Sequence, residues 1–277
     1  MASFRIAKIA LPWSAKLQRA SRIGQKTSTV QASRIAVGAP PYHAQAVEFA
    51  ALASAALTWF LLHALVAGTG LRRLLVARVG EKAYRGGFSL ASLCSLWWLV
   101  HEYGRAPYVA VGRAPLLLGY VPIVLVPVAL VLFAGAFLVP NPTAVGGERL
   151  LLSDEPARGL LRVTRHPFLW AAALWGFAHL LVNWDAGSLL FFGSIAVTAL
   201  RGTVDIDRKR RRTNPQEFSA FEARTSNLPF QAIAAGRNRL VLREVWLPVL
   251  LGLALALGAV ALHPRVFGRP ALPGAHG

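Results

Sequence analysis

The chain has 277 residues, of which 55% are hydrophobic and only 15% charged, and 30 Lys and Arg face 12 Asp and Glu. A water-soluble domain of this size carries about 25% charged residues, so the long apolar runs are matched to lipid rather than to a soluble core. A net charge of +18 would suggest nucleic acid on a soluble protein. Here the basic residues fall in blocks between apolar spans, a membrane topology pattern that leaves no role for nucleic acid. The single cysteine, Cys94, excludes an internal disulfide and a cysteine metal cluster.

Residues 1–44 contain seven basic and no acidic residues. They read as an organelle transit peptide, as a disordered tail, or as the result of a start codon placed too far upstream. Six apolar spans follow, at roughly 46–68, 85–103, 116–138, 167–182, 188–203 and 245–262. A spanning helix needs about 20 residues. The fourth and fifth spans are shorter, joined by the turn Asn183-Trp184-Asp185-Ala186-Gly187, and the fourth can be lengthened inward through 157–166. The pattern predicts an all-α polytopic membrane protein with about six transmembrane helices in one bundle over residues 45–268, then a short tail, 269–277.

Orientation follows from the basic residues. Nineteen of the 30 Lys and Arg lie in the loops that follow spans one, three and five or at the span ends that border them, which places those loops in the cytoplasm. The lipid bilayer is the first partner. A bacterial inner membrane is the expected location, or a plastid membrane if residues 1–44 are a transit peptide. The cytoplasmic loop, 204–244, opens on the basic run 208–212, which reads as a topology anchor attracting anionic lipid. Phe218, Phe221 and the apolar Leu228-Pro229-Phe230 suggest a short amphipathic helix and an interfacial segment after it. The chain carries no glycine-rich phosphate loop, no serine nucleophile elbow and no histidine–glutamate zinc motif.

Three histidines, His63, His101 and His179, lie within spans, where an ionisable group is costly and marks a functional candidate. Each follows a tryptophan by four residues (Trp59, Trp97, Trp175), which sets imidazole and indole on one helix face. Hydrogen bonding between helices would explain any one of them. Three with the same neighbour point to a shared role, and paired histidines across membrane helices serve as axial ligands of haem iron. The topology puts His63 in the inner part of its span and His101 and His179 in the outer parts of theirs. Depth therefore pairs His101 with His179, and His63 joins only if the first span is displaced or tilted. Ala172 and Gly176, on the face of His179, leave room for another helix or a planar ligand. Arg165 and His166, just before Pro167, read as an anion or head-group contact at a helix start, or as a snorkelling interfacial pair.

The blocks LLHALVAGTGLRR, GEKAYRGGFSL, VTRHPFLWAAALWGFAHLL at 163–181 and RTSNLPFQAIAAGRNRL at 224–240, with LHPRVFG at the end, resemble the NnrU family over roughly residues 46–268. That family includes the 15-cis-zeta-carotene isomerases. The resemblance implies haem b as cofactor, with its iron held by His63 and His179 and with His101 as an alternate ligand. It also implies cis–trans isomerisation of an apolar polyene such as 15-cis-zeta-carotene, in company with carotenoid enzymes. Where the isomerases carry a further histidine in the fifth span, this chain has Thr198. The family name implies another role, as a non-enzymatic accessory for production of nitrite and nitric oxide reductases, the respiratory enzymes of denitrification. Arg165-His166-Pro167 followed by a hairpin and a basic loop is also similar to membrane methyltransferases. Leu169 stands where they have a tyrosine, and Asp205 and Asp207 where they have paired glutamates.

Overall fold

The computed structural model describes residues 42–67, 70–144 and 146–272. Of the stretch 1–44 on which the transit-peptide expectation falls, residues 1–41 lie outside the described residues. Among the described residues all regular structure is helical, apart from one isolated β-bridge between Ala110 and Asp185. The helices are α1 (Tyr42–Leu61), α2 (Gly70–Val79), α3 (Glu81–Arg105), α4 (Val121–Leu138), α5 (Pro167–Val182), α6 (Ala186–Thr213), α7 (Pro215–Arg224), the single turn α8 (Gln231–Ala234) and α9 (Leu242–Phe267). Four segments are long and apolar enough to cross a membrane: Ala46–Val66, Leu116–Leu138, Ala186–Thr213 and Leu242–Phe267. Helix α5 is apolar but has 16 residues, about 24 Å at 1.5 Å per residue. Helix α3 has 25 residues but is less apolar than those four. The six expected spans all fall within helices.

Local chemistry explains several boundaries. Pro167, whose missing N–H is harmless in a first turn, opens α5. Asp185 caps α6 by accepting the Ser188 N–H at 3.0 Å. Gly268, with φ 70°, ends α9 in a left-handed turn that a side chain would resist. Leu62–Ala67 widens into a π-helical turn at the end of α1.

Each long helix packs mainly on the next in the order α9, α4, α5, α6, α1, α3. Small residues allow the close approaches. At Gly252 of α9 a methyl group would run into the backbone of Val131, and at Gly176 of α5 it would press on the Phe192 carbonyl and Ala196 of α6. At one end of the bundle, the loops after α3 and α5 pair: Val111 N–H donates to the Trp184 carbonyl at 3.0 Å and Ala186 N–H to the Val109 carbonyl at 2.9 Å.

Two sequence expectations need correction. Residues 157–166 do not lengthen α5. They contain a 3₁₀ turn, Gly159–Arg162, and then an irregular buried strap. The stretch 204–244 is not a water-exposed loop, because α6 runs on to Thr213 with Asp207 and Arg210 buried. The expected short amphipathic helix forms as α7, and its apolar side chains, Phe218 and Phe221, are fully buried against Leu151 and Ala157 of the same chain. The basic run continues the helix with its one fully buried member, Arg210, matched to Glu148 at 2.7 Å.

The α4–α9 contact gives a direct check. Gly252→Val should lower the thermal midpoint followed by circular dichroism in detergent, at a cost of about 1–3 kcal/mol for overpacking. Gly258→Ala, where a methyl group meets open space, should leave the midpoint unlowered.

Candidate functional site

Two features meet at the end of the bundle where the loops after α1, α4 and α6 converge. The first is a polar knot. The Arg165 guanidinium binds Asp207, with Nε 3.1 and 3.0 Å from its two carboxylate oxygens, and its Nη2 reaches Glu222 at 2.9 Å. His166 Nε2 lies 2.7 Å from Asp207 Oδ1. All of Arg165, His166 and Asp207 are buried. Arg211 closes the group from outside, with two bonds to Glu222 at 2.9 and 2.8 Å. The strap is fixed by its neighbours as well. Thr164 Oγ1 donates to the Asn227 carbonyl at 2.6 Å, Arg165 N–H to the Ser226 carbonyl at 3.0 Å, and Phe230 N–H to the Val163 carbonyl at 2.8 Å. A parallel knot holds α9, where Arg162 binds Glu244 at 2.8 Å and Glu155 at 2.6 Å.

The expected anion or head-group contact of Arg165 and His166 is therefore corrected. The anions they meet are the chain's own carboxylates, and neither side chain is open to a ligand. Burial holds the His166 imidazole below its ordinary value near 6.5, with Asp207 pulling the other way. Burial prevails because Arg165 already neutralises Asp207, so a second cation on that carboxylate gains little. His166 is the neutral imidazole, and its Nε2–H donates to Asp207.

The second feature is a cavity of about 330 Å³ between α1, α3, α5 and α6, within the size range of ligand pockets. Its apolar and aromatic wall is formed by Trp59, His63, Phe88, Phe168, Leu169, Ala172 and Ile195. Its rim is charged, with Arg72, Glu81, Arg85, Glu148, Arg201, Asp205, Lys209 and Arg210. Glu81 serves both Arg72, at 2.6 Å, and Arg85, at 2.7 Å. The Arg85 guanidinium foremost, and then Arg72, hold the Glu81 carboxyl below the usual carboxylate range against slight desolvation. Gly176 admits α6, the helix approach foreseen for that small-residue face, and Ala172 lines the cavity.

The three tryptophan–histidine pairs form as the spacing requires, with ring centroids 4.2 Å apart for Trp59–His63, 5.3 Å for Trp97–His101 and 4.6 Å for Trp175–His179. In two of them the histidine Nδ1–H donates to the tryptophan carbonyl at 2.8 Å: His63 and His179. That bond fixes the tautomer and leaves Nε2 as the lone-pair nitrogen, the form a metal takes. His63 sits in the π-helical turn, the kind of local irregularity found often at functional sites, and is the one of the three that lines the cavity. His179 stacks on Phe192, centroids 4.7 Å apart. His101 lies beside the exposed Trp97. The structure thus brings none of the three into ring contact with another, and among the described residues no cluster of three His, Cys, Asp or Glu could hold a metal. The depth argument for His101 with His179 gains no contact to support it.

Sequence reasoning missed Asp207 and Glu222 as partners of Arg165, and the whole charged rim. The signal for the first was present in Asp205 and Asp207 directly ahead of the basic run 208–212, which sets carboxylates three and four residues before cations, a spacing that suits a helix face better than a loop.

This arrangement defines an all-α polytopic protein with a histidine-walled cavity among its apolar helices. The chain belongs to the NnrU family: a family profile described as NnrU protein matches residues 51–271. It is similar to the chloroplastic 15-cis-zeta-carotene isomerase of Arabidopsis thaliana, 32% identical over 145 residues, 50% of this chain and 38% of that protein. The chloroplastic isomerase of Zea mays is 33% identical over 139 residues, 48% of this chain and 37% of the relative. The matched stretch thus spans well under half the length of either relative. No solved structure matches the chain.

Two outcomes follow for the knot. Asp207→Asn, which strands the buried Arg165, should cost about 3–5 kcal/mol. Arg211→Gln, at the exposed edge, should cost at most about 1 kcal/mol. Because the folded state keeps His166 neutral where an unfolded histidine would protonate, its stabilising contribution is complete above about pH 6.5 and is lost as pH falls from there towards the lower folded value. Thermal midpoints between pH 8 and 5 should therefore fall less steeply for His166→Gln than for the unaltered chain.

Proposed function

We propose that this protein is a cis–trans isomerase of an apolar conjugated polyene, held in the cavity against His63, with haem b as cofactor. One observation carries the reading: an apolar, aromatic cavity walled by an imidazole whose Nδ1 is tied down and whose Nε2 is left free for a metal. The similarity to the two zeta-carotene isomerases supports polyene chemistry over a purely accessory role.

Donor chemistry supports haem. Neutral imidazoles with a fixed tautomer suit iron in a medium of low dielectric, and His63 and His179 share that bond while His101 has none like it. His63 is the ligand the cavity presents. His179, which shares the same fixed tautomer, would be the second ligand. Iron bound there would supply an electron-rich centre able to weaken a double bond in a conjugated chain. The chain's own residues do the rest. Trp59, Phe88 and Phe168 provide flat walls that fit a planar polyene and exclude water, and the neutral His63 adds no charge to repel it. Thr198, in place of the isomerases' further histidine, lines the same cavity, so this chain works with one imidazole fewer there.

The test is expression in a strain that accumulates 15-cis-zeta-carotene, with pigment isomers separated by chromatography and the Soret band of the purified protein recorded alongside. Conversion to the trans isomer with a Soret band is the expected result. His63→Ala and His179→Ala should abolish both, while His101→Ala keeps the band. A colourless protein and unconverted pigment would overturn the proposal, and accumulation of nitrite in a denitrifying host lacking the protein would then favour the accessory role.

A further inference from the structure

We infer that the rim of the cavity is a subsite for the anionic end of an amphiphile, a carboxylate or a phosphate, whose apolar body lies along the Trp59–His63 wall. The inference rests on reading this cavity as the ligand site and adds a head group to the apolar body proposed above.

Charge balance at the rim is the first observation. Five cations and three carboxylates line it. Arg201 is matched by Asp205 at 3.1 Å and Arg210 by Glu148 at 2.7 Å, while Arg72 and Arg85 share the single carboxylate of Glu81. Lys209 is left over. Its nearest charges are Arg72, Arg210, Glu148 and Glu81, and it forms no ion pair or hydrogen bond among the described residues. An ammonium half withdrawn from water beside two guanidinium groups asks for an anion.

Unanswered hydrogen-bonding groups are the second. Arg210 is 2% exposed and its Nε has no acceptor; Thr198 is 8% exposed and its Oγ1 has no partner; Trp59 Nε1 is buried with none. All three residues line this cavity. Buried polar groups are usually paired, so three orphans around one space point to a ligand bearing acceptors. A pure hydrocarbon would satisfy none of them. An amphiphile with an anionic end would meet Lys209 and the Arg210 edge at the rim and leave its apolar length to the aromatic wall. Two sources share this chemistry: a carboxylated apolar metabolite or lipid, and the carboxylates of a prosthetic group.

Binding of acid and ester pairs separates them. The purified full chain in non-ionic detergent is titrated with cis-parinaric acid, a fluorescent conjugated polyenoic acid, against its methyl ester, and with haemin against haemin dimethyl ester. In at least one pair the acid should bind about tenfold more tightly than its ester, the scale of one charge-assisted hydrogen bond. The pair that discriminates identifies the source. Lys209→Gln should remove the preference with ester affinity unchanged, and Lys209→Arg should keep it. Equal affinity of acid and ester in both pairs, with both bound, would overturn the head-group subsite while leaving the cavity reading standing. If no probe binds, the cavity reading falls together with it.

Discussion

A buried arginine needs a carboxylate, and the fold at this end of the bundle is arranged so that Arg165 has one. Leaving a charge of this kind alone in an apolar interior would be prohibitive. Asp207 can reach it only if α6 continues beyond its apolar part, and Glu222 only if α7 folds back beneath. The consequence is a rigid junction of four segments: the strap before α5, the extension of α6, α7, and the run 225–230 that hydrogen-bonds to the strap. His166 completes the carboxylate's coordination as a neutral donor, so that the junction gains specificity without adding another charge.

That junction positions the cavity. Because α6 stays helical past Asp207, the residues on its other faces are carried to the cavity rim: Asp205, Lys209 and Arg210. The start of α5 is likewise fixed by the strap, which holds Phe168, Leu169 and Ala172 as one wall. The chemistry of the opposite wall has a different origin. There the π-helical turn re-aims His63, and the bond from Nδ1–H to the Trp59 carbonyl orients its ring. A polar scaffold at the rim and an apolar chamber below it are thus parts of one construction, which suits a ligand that enters from the membrane and is anchored near its surface.

Much of this was legible in the sequence because the physics of the bilayer is coarse. Apolar length and basic blocks located every long helix, and the four-residue spacing foretold each tryptophan–histidine contact. Pro167 marked the start of α5. What the sequence hid depends on partners far along the chain. Arg165 and His166 looked like surface cations because Asp207 and Glu222 lie some forty and more residues away, inside a stretch whose charge suggested solvent. The amphipathic helix around Phe218 and Phe221 was legible, but its cover was not, because Leu151 and Ala157 sit in an irregular segment without periodicity. Among the histidines, spacing alone treated all three alike. The hydrogen bond to the Trp59 carbonyl, a local choice of side-chain rotamer, and the cavity wall, a tertiary property, separate His63 from His101.

The central claim is that ligand sits in the cavity against His63. Since Cys94 is the chain's one cysteine, a Cys94→Ser background allows a single reporter thiol, and Ala172→Cys places it in the cavity wall. The decisive measurement is its alkylation rate with and without haemin or 15-cis-zeta-carotene. The account predicts strong protection at position 172 and none at Leu93→Cys on the exposed face of α3. An unchanged rate at 172, with protection instead at a cysteine placed beside Trp97 and His101, would contradict it.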